Sequence, residues 1–406
     1  MPETSVQTVR RLLLLTSAIV CFDTLFFTAL TPLLPHYAHA LALGKAGAGV
    51  LAAAYPAGAL VGALPSGMVA ARLGVKPTVL TGLTCVATCT ILFGVATRPW
   101  ELDVARFAQG LASAFSWTGA LAWLVAGTPS EQRGATIGNA FAAATVGALF
   151  GPVLGAVASQ AGVGWTFGVA GAASLGLAAW AAGTPAARPD EPQPLGVLAR
   201  AFRDRGVLVG FWFVVLPALL FGTLSVLAPL RLSHLGVGPI AIGGTFLAAA
   251  ACETAVNLRI GRASDRHGPL KPALLGLAAS LVVAALLPWP TSGAVLALLV
   301  VLAGTAFGSF FTPGMTMLSH AGERLGLDYG YTFAIVTLAW APGQTAGAAG
   351  GGALAHATAD ATTYLLLAGV CALTLGALWS RRGSTASTTS SGTRSNESWS
   401  GTTAGD

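Results

Sequence analysis

Hydrophobic residues along this chain fall in long runs, each ended by charged or turn-forming residues. A membrane-spanning helix needs about 20 predominantly apolar residues, and the runs are of that length. They predict twelve spanning helices, six in each half of the chain. The predicted limits are 12–35, 46–70, 77–97, 101–126, 134–160, 163–183, 206–231, 239–261, 270–289, 292–319, 329–357 and 359–380.

The polar segments between these runs predict how the chain is divided. The predicted parts are an N-terminal bundle 1–183, a Pro-rich cytoplasmic linker 184–205, a C-terminal bundle 206–381 and a disordered Ser/Thr-rich cytoplasmic tail 382–406. Near the end of the linker, Leu195, Leu198 and Phe202 alternate with arginines. This pattern predicts either a short helix on the membrane surface or a plain solvated linker.

The composition agrees with a membrane protein and excludes other classes. Only 9% of the residues are charged, against about 25% in soluble proteins, and the mean hydropathy is +0.72. The net charge of +6 is spread between apolar runs and forms no basic stripe, so nucleic acid is not an expected partner. The five cysteines lie within apolar runs without histidines at ligand spacing, so we expect neither disulfides nor a metal site.

Lysine and arginine predict the orientation of the spans. Seventeen of the 21 fall on the side of the N-terminus, three on the opposite side, and Arg106 lies within a span. Because cytoplasmic loops carry the excess of positive charge, we expect a multi-pass protein of the cell membrane with both termini in the cytoplasm. A cleaved signal peptide is the alternative for the first run, which follows Arg10 and Arg11. The length of that run and Asp23 inside it argue against cleavage.

The two halves resemble each other in sequence. A shift of 194 residues pairs Arg72 with Arg266, and a shift of 192 pairs Phe141 with Phe333 and a series of glycines. Six spans separate the paired positions, and since six is even the halves are predicted to be parallel copies. Transporters built this way hold their substrate near the midplane between the halves, which rock to expose it alternately.

Three elements resemble signatures of the major facilitator superfamily. Residues 67–74 and 261–268 resemble its G-x-x-x-D-R-x-G loop, and residues 106–110 resemble its R-x-x-Q-G element. The fifth predicted span is similar to the family's antiporter motif at Gly138, Gly147, Gly151, Pro152 and Gly155. The start of the first span is similar to that of 12-helix drug:proton antiporters and vesicular amine transporters.

This resemblance implies an all-α fold of 12 transmembrane helices in two six-helix bundles. It also implies gating by the loop signatures, whose residues are Gly67, Arg72, Gly74, Gly261, Asp265, Arg266 and Gly268. The first copy departs from the pattern, because Ala71 stands where the signature has Asp. We expect the glycines to permit tight turns and the charged residues to cap helix ends or bridge helices in one conformational state.

Three ionisable residues stand out deep inside predicted spans, where a charge costs about 2.5–3.5 kcal/mol on insertion scales. Asp23 and Arg106 reach roughly 18 Å and roughly 22 Å from the cytoplasmic side, so we expect them to face one cavity. There the acid would carry a proton or a cationic substrate, or pair with the guanidinium; the alternative is a static ion pair. Glu253 is either a second proton carrier or a hydrogen-bond partner of Asn257.

Aromatic and amide side chains at similar depth are candidates to line the substrate cavity, where aromatic rings would stack on a planar or cationic compound. These candidates are Phe26, Phe27, Gln109, Trp117 and Trp340.

These features together predict a secondary transporter that exports small amphipathic or cationic compounds in exchange for protons. The chain contains no Walker-type loop and no identifiable Ser/His/Asp site, so we expect a proton gradient as energy source, no cofactor and no enzymatic activity. The expected partners are substrate, protons and lipid, with the monomer as the working unit. The alternatives are a proton symporter or uniporter that imports a metabolite, and a membrane sensor that binds ligand without moving it.

Overall fold

The computed structural model describes residues 2–129, 132–186, 195–327 and 329–392, and every regular element within these ranges is a helix. Long apolar runs form helices in a membrane because each backbone group must then find its hydrogen-bond partner within its own segment. The first half contains α1 (Pro2–Ala40), α2 (Lys45–Leu73), α3 (Val75–Val95), α4 (Pro99–Ala126), α5 (Arg133–Ala161) and α6 (Val163–Ala182).

The second half repeats this plan with two interruptions. Its helices are α7 (Leu195–Ala201), α8 (Arg205–His234), α9 (Pro239–His267), α10 (Leu270–Leu286), α11 (Gly293–Ser309), α12 (Phe311–Arg324), α13 (Tyr329–Thr345), α14 (Gly351–Ala357) and α15 (Asp360–Gly392). A π-helical turn, Ala346–Gly350, joins α13 to α14 within one predicted span.

The tenth predicted span, 292–319, is present as one span, Gly293–Arg324, but it is not one continuous helix. The structure breaks it at Phe310 into α11 and α12 and extends it to Arg324. Pro313 explains the break, since it has no N–H to donate to the carbonyl of Ser309, the residue four positions earlier.

Nine helices among the described residues are long and apolar enough to cross a membrane, with α11 and α12 counted as one. The shorter α10 is also apolar. The remaining predicted spans are occupied by α4 and by α13 with α14. The all-helical, membrane-spanning fold class is therefore confirmed.

The linker and the tail are described only in part. Residues 187–194 of the predicted linker and 393–406 of the predicted tail lie outside the described residues. A short helix, α7, forms near the end of the linker, where the sequence predicted either a short helix or a plain solvated segment. Its Leu198 is buried against α8, α12 and α13. The last helix continues to Gly392, past the limit of 380 predicted for the final span and into the segment predicted to be disordered.

Each half packs as a bundle around its own apolar core. In the first half α1 packs on α5, α2 and α3 pack on α4, and α3 packs on α6. In the second half α8 packs on α12 and α13, α9 on α11, and α10 on α15. The halves meet where α2 contacts α13 and α14 and where α5 contacts α9.

Both bundles run from a terminal end, where Arg11 binds the carbonyl of Gly183, to a far end, where Lys45 binds Asp360. The halves are tightly joined at the far end. Lys45 Nζ lies 2.6 Å from Asp360 Oδ1 across the interface. A Cβ built on Gly49 of α2 would lie only 3.2 Å from the Cα of Gly352 on α14. The helices can approach this closely because both positions are glycine.

Candidate functional site

A buried carboxyl group lies at the centre of the first bundle. Asp23 of α1 is 8% exposed, and its Oδ2 accepts hydrogen bonds from Ser113 Oγ at 2.7 Å and from Tyr55 Oη at 2.8 Å. The two hydroxyl oxygens are themselves 2.7 Å apart. The three oxygens therefore form a closed triangle of short contacts.

The buried guanidinium of Arg106 lies near this triangle but does not pair with its acid. Its two terminal nitrogens donate to the carbonyls of Phe26 at 3.1 Å and Phe27 at 3.2 Å, both on α1. One of them also donates to Gln109 Oε1 at 2.7 Å. In this conformation no ion pair joins Arg106 to Asp23, although both side chains belong to the described part of the chain. Arg106 fastens α4 to the backbone of α1.

Tyr55 connects the acid and the base. Its hydroxyl donates within the Asp23 triangle, and the guanidinium carbon of Arg106 lies 4.9 Å from the centre of its ring. That distance is within the range of a cation–π contact. We refer to Asp23, Tyr55, Ser113 and Arg106 as the Asp23 cluster.

Close packing of α2 on α4 places Tyr55 in this cluster. A Cβ on Gly110 would collide with the carbonyl of Tyr55, and a Cβ on Gly58 would collide with the carbonyl of Phe107. The two glycines thus let the backbones touch, and a Tyr side chain on α2 then reaches Ser113, one turn beyond Gly110.

Two aromatic contacts connect the Asp23 cluster to the second half. The ring of Phe27, one turn beyond Asp23 on α1, lies 5.2 Å from that of Tyr55 and 5.3 Å from that of Trp340 on α13. Phe27 and Trp340 are therefore placed between the halves, as their candidacy for the cavity requires.

Two other candidates for the cavity lie elsewhere. Phe26 is 1% exposed and packs in the core of the first bundle with Val86 and Ala112, so it does not face the second half. Gln109 is equally buried, and its amide nitrogen donates to Thr90 Oγ1 at 2.8 Å. Gln109 orients Arg106 and does not reach the space between the halves.

Trp117 faces a different junction, towards the terminal end. Its ring meets that of Phe141 on α5 at 5.9 Å, and Phe141 stacks on Phe333 of α13 at 5.1 Å with 20° between the planes. Phe141 and Phe333, which the sequence repeat pairs, therefore touch across the interface. On the side of these rings towards the terminal end lies a cleft of about 310 Å³.

Glu253 lies apart from the Asp23 cluster, within the second bundle. A Cβ on Gly308 of α11 would come within 2.6 Å of Glu253 Cγ, so the side chain packs where α11 ends. No hydrogen bond joins the described side chains of Glu253 and Asn257, and Asn257 Oδ1 is buried without a partner. Among the described residues, no three His, Cys, Asp or Glu side chains are grouped to hold a metal ion.

The loop signatures contribute turn geometry. Gly74 and Gly268 have φ of +97° and +79°, a conformation that glycine adopts at little cost, and they join α2 to α3 and α9 to α10. Gly67 and Gly261 lie inside helices with no other atom near a built Cβ. Arg72 and Arg266 are exposed, and neither forms an ion pair with a described residue in this conformation. The side chain of Asp265 lies outside the described set.

The glycines of the antiporter-like motif face α1, with one exception. A Cβ on Gly147, Gly151 or Gly155 would collide with the α1 backbone or with Thr28. Pro152 instead faces α9. Its carbonyl oxygen would lie 2.9 Å from a Cβ built on Gly243 of that helix. A Cβ built on Gly138 would meet no atom of another helix within 4 Å, and Gly138 lines the terminal cleft.

Sequence reasoning missed Tyr55 and Ser113. Ser113 follows Arg106 by seven residues, which is about two helical turns, so the helical period places them on one face. Tyr55 had a weaker signal, a phenolic hydroxyl within the apolar run of α2. A buried hydroxyl generally has a hydrogen-bond partner, which identifies it as a candidate but does not name the partner.

Paired six-helix bundles around buried polar residues define the architecture of membrane transporters built from parallel repeats. The sequence model of the Major Facilitator Superfamily matches residues 16–340 and 220–403 of this chain. The chain belongs to this superfamily, and it is a multi-pass membrane protein with the superfamily's fold.

Solved structures share this fold at low sequence identity. A bacterial homologue of the human lysosomal transporter Spinster, inward-facing and unoccupied, matches 91% of this chain and 96% of its own, at 15% identity and a TM-score of 0.71. The nucleoside transporter NupG matches 91% of this chain and 98% of its own, at 16% identity and a TM-score of 0.72.

Curated relatives match over a shorter stretch. The MFS-type transporters ppzB of Metarhizium majus and Metarhizium rileyi are 34% identical to this protein over 110 residues, which is 27% of its chain. The match spans about a quarter of those relatives, 24% and 23% of their lengths.

Proposed function

We propose that this protein is a proton-coupled secondary transporter that exports small amphipathic or cationic compounds by alternating access. The observation that carries the proposal is Asp23, a carboxyl group buried inside a membrane helix without a cationic partner in hydrogen-bond contact. A lone buried charge of this kind is expensive, and intramembrane acids generally serve ion or proton pathways.

A count of hydrogens supports proton binding at Asp23. The triangle of Asp23, Tyr55 and Ser113 has three oxygen–oxygen contacts of hydrogen-bond length. Two hydroxyl groups supply two hydrogens, so one contact lacks a hydrogen when the acid is ionised. Protonation supplies the third hydrogen and completes the ring. The same oxygen could instead receive a cationic substrate, so proton and substrate would compete for one acid.

The fixed guanidinium of Arg106 complements this exchange. It is held by two backbone carbonyls of α1 and cannot leave without losing both hydrogen bonds. The contact of the guanidinium with the ring of Tyr55 keeps its positive charge close to Asp23. That charge stabilises the ionised acid after a proton or a cation has left.

The packing of the halves supports alternating access. They are sealed at the far end by Lys45, Asp360 and the glycine contact of α2 with α14. At the terminal end a cleft lies between α5, α12 and α13. We assign the terminal end to the cytoplasm, because most basic residues lie on that side, and the membrane to the cell membrane.

The antiporter-like glycines and the similarity of the first span to drug:proton antiporters favour export. The chemistry of Asp23 is equally suited to a proton symporter, so the direction is decided by experiment. A thermal-shift screen of the purified protein would first select a stabilising compound. Its uptake is then measured in proteoliposomes with an imposed pH gradient.

Each mechanism gives a different result in this assay. An antiporter accumulates the compound when the lumen is acidic, and a symporter accumulates it when the outside is acidic. A uniporter equilibrates it without regard to the gradient. Binding without any flux would identify a sensor and contradict transport.

A further inference from the structure

We propose that the terminal cleft is a second binding site, specific for small, flat aromatic cations and separate from the Asp23 cluster. The cleft lies between the halves, and α5, α12 and α13 supply its walls. Its volume of about 310 Å³ is at the lower end of the range for small-molecule pockets, about 300–1,000 Å³. A small ligand therefore fits it better than a large one.

An aromatic surface closes the cleft on its inner side. Phe141 and Phe333 stack on each other there, and Met315 and Val336 extend the apolar wall. Aromatic rings pack favourably in offset stacks and attract cations to their faces. A flat aromatic cation would make both contacts at once.

The charge of the cleft favours a cation. Glu323 lines it, is exposed, and makes no ion pair with a described residue. The neighbouring arginines are engaged elsewhere: Arg133 Nε donates to the carbonyl of Thr128 at 3.1 Å, and Arg324 binds Asp204 at 3.3 Å. The third wall, α13, carries no charged residue. The carboxylate of Glu323 therefore has no ion-pair partner among the described residues.

The cleft is separated from the Asp23 cluster by aromatic side chains. Trp117 contacts Phe141, and it lies one helical turn from Ser113, which binds Asp23. A ligand in the cleft would therefore reach Asp23 only after the rings of Phe141 and Phe333 part. Binding in the cleft does not depend on the proposed function; only the passage onward to Asp23 rests on it.

Equilibrium binding of ethidium, an aromatic monocation, tests the site with the purified full-length protein. We expect Glu323→Gln and Phe141→Ala each to weaken binding about fivefold to tenfold, which corresponds to about 1–1.4 kcal/mol for each contact. Asp103→Asn removes an acid at the far end, and Phe150→Ala removes an exposed ring from α5. These two matched controls should bind ethidium as the unaltered chain does.

A labelling experiment locates the ligand independently of these variants. Ser319 lines the cleft, and a Ser319→Cys chain can be modified with a water-soluble maleimide. We expect saturating ethidium to slow maleimide modification of the introduced cysteine about fivefold or more. The same slowing is expected when the chain also carries Asp23→Asn. Protection in that background would distinguish the cleft from the Asp23 cluster.

Three results would overturn the proposal. They are no binding of ethidium, equal binding by the Glu323→Gln and unaltered chains, and modification of Ser319→Cys without protection. A protein that binds ethidium in the cleft but transports nothing would contradict the proposed function and leave this site standing.

Discussion

Tyr55 is the residue through which the acid and the base of the cluster interact. Its hydroxyl donates to Asp23 and its ring lies under the guanidinium of Arg106. A phenol can do both, because it joins a hydrogen-bond donor to an aromatic face. The two contacts can be separated by substitution.

We predict that Tyr55→Phe lowers proton-coupled transport about fivefold, since one hydrogen bond worth about 1 kcal/mol is lost and the ring is kept. Tyr55→Leu should lower it further, because the cation–π contact is lost as well. Initial rates in proteoliposomes measure both variants. Equal rates for Phe and Leu would show that the contact of the ring with Arg106 is unimportant.

The sequence predicts some of these residues better than others, and the reason is physical. Asp23 and Arg106 stand out because charges in apolar runs are rare and costly. Tyr55 does not, because its role depends on contacts between α2 and α4 through glycines. Phe26 and Phe27 are adjacent, and only the rotation of α1 decides which one faces Trp340.

At the scale of helices, the glycine series of α5 and α13 serve equivalent purposes. Gly155 of α5 lies against the backbone of α1, and Gly347, in the π-helical turn that follows α13, lies against the backbone of α8. The same shift of 192 residues relates the two glycine series in sequence. Each half therefore packs its first and fifth helices through glycine.

We predict that Gly147→Ala destabilises the protein by about 1–3 kcal/mol, because a methyl group would collide with the carbonyl of Cys21. Gly138→Ala, on the same helix, meets no atom within 4 Å and should change stability by less than about 0.5 kcal/mol. Thermal unfolding in detergent compares the two. An equal loss at both positions would show that the contact with α1 is not the cause.

Most helix boundaries were predictable within a few residues where charge or turn residues ended an apolar run, but α1 begins earlier, at Pro2, and α15 ends later, at Gly392. The break between α11 and α12 was not predicted, although Pro313 was its signal, because proline is tolerated inside membrane helices such as α1 and α8. The π-helical turn before α14 has no such single signal. It follows from packing, since the carbonyl of Gly347 accepts a hydrogen bond from Thr223 on α8.

On the scale of the whole molecule, the contact of Lys45 with Asp360 joins the halves at the far end. Both groups are partly exposed, so the pair contributes about 0–1 kcal/mol. That amount is small for stability, but 1 kcal/mol shifts a two-state equilibrium about fivefold. The pair is placed to bias which end of the transporter is open.

We predict that Asp360→Asn increases the population open at the far end, and that Lys45→Asp with Asp360→Lys restores the original balance. Spin labels at exposed Thr97 and Thr291, one on each half, report the separation by pulsed electron resonance. An unchanged distance distribution in Asp360→Asn would show that the pair does not hold the far end closed.

Proton coupling through Asp23 is the central claim, and one measurement tests it most directly. Proteoliposomes with an acidic lumen release protons when a transported compound is added outside, and this release is compared in Asp23→Asn and Asp103→Asn. We predict that Asp23→Asn abolishes the proton release. Asp103→Asn, which removes an acid at the far end, should retain it. Proton release by Asp23→Asn at the unaltered rate would contradict the account.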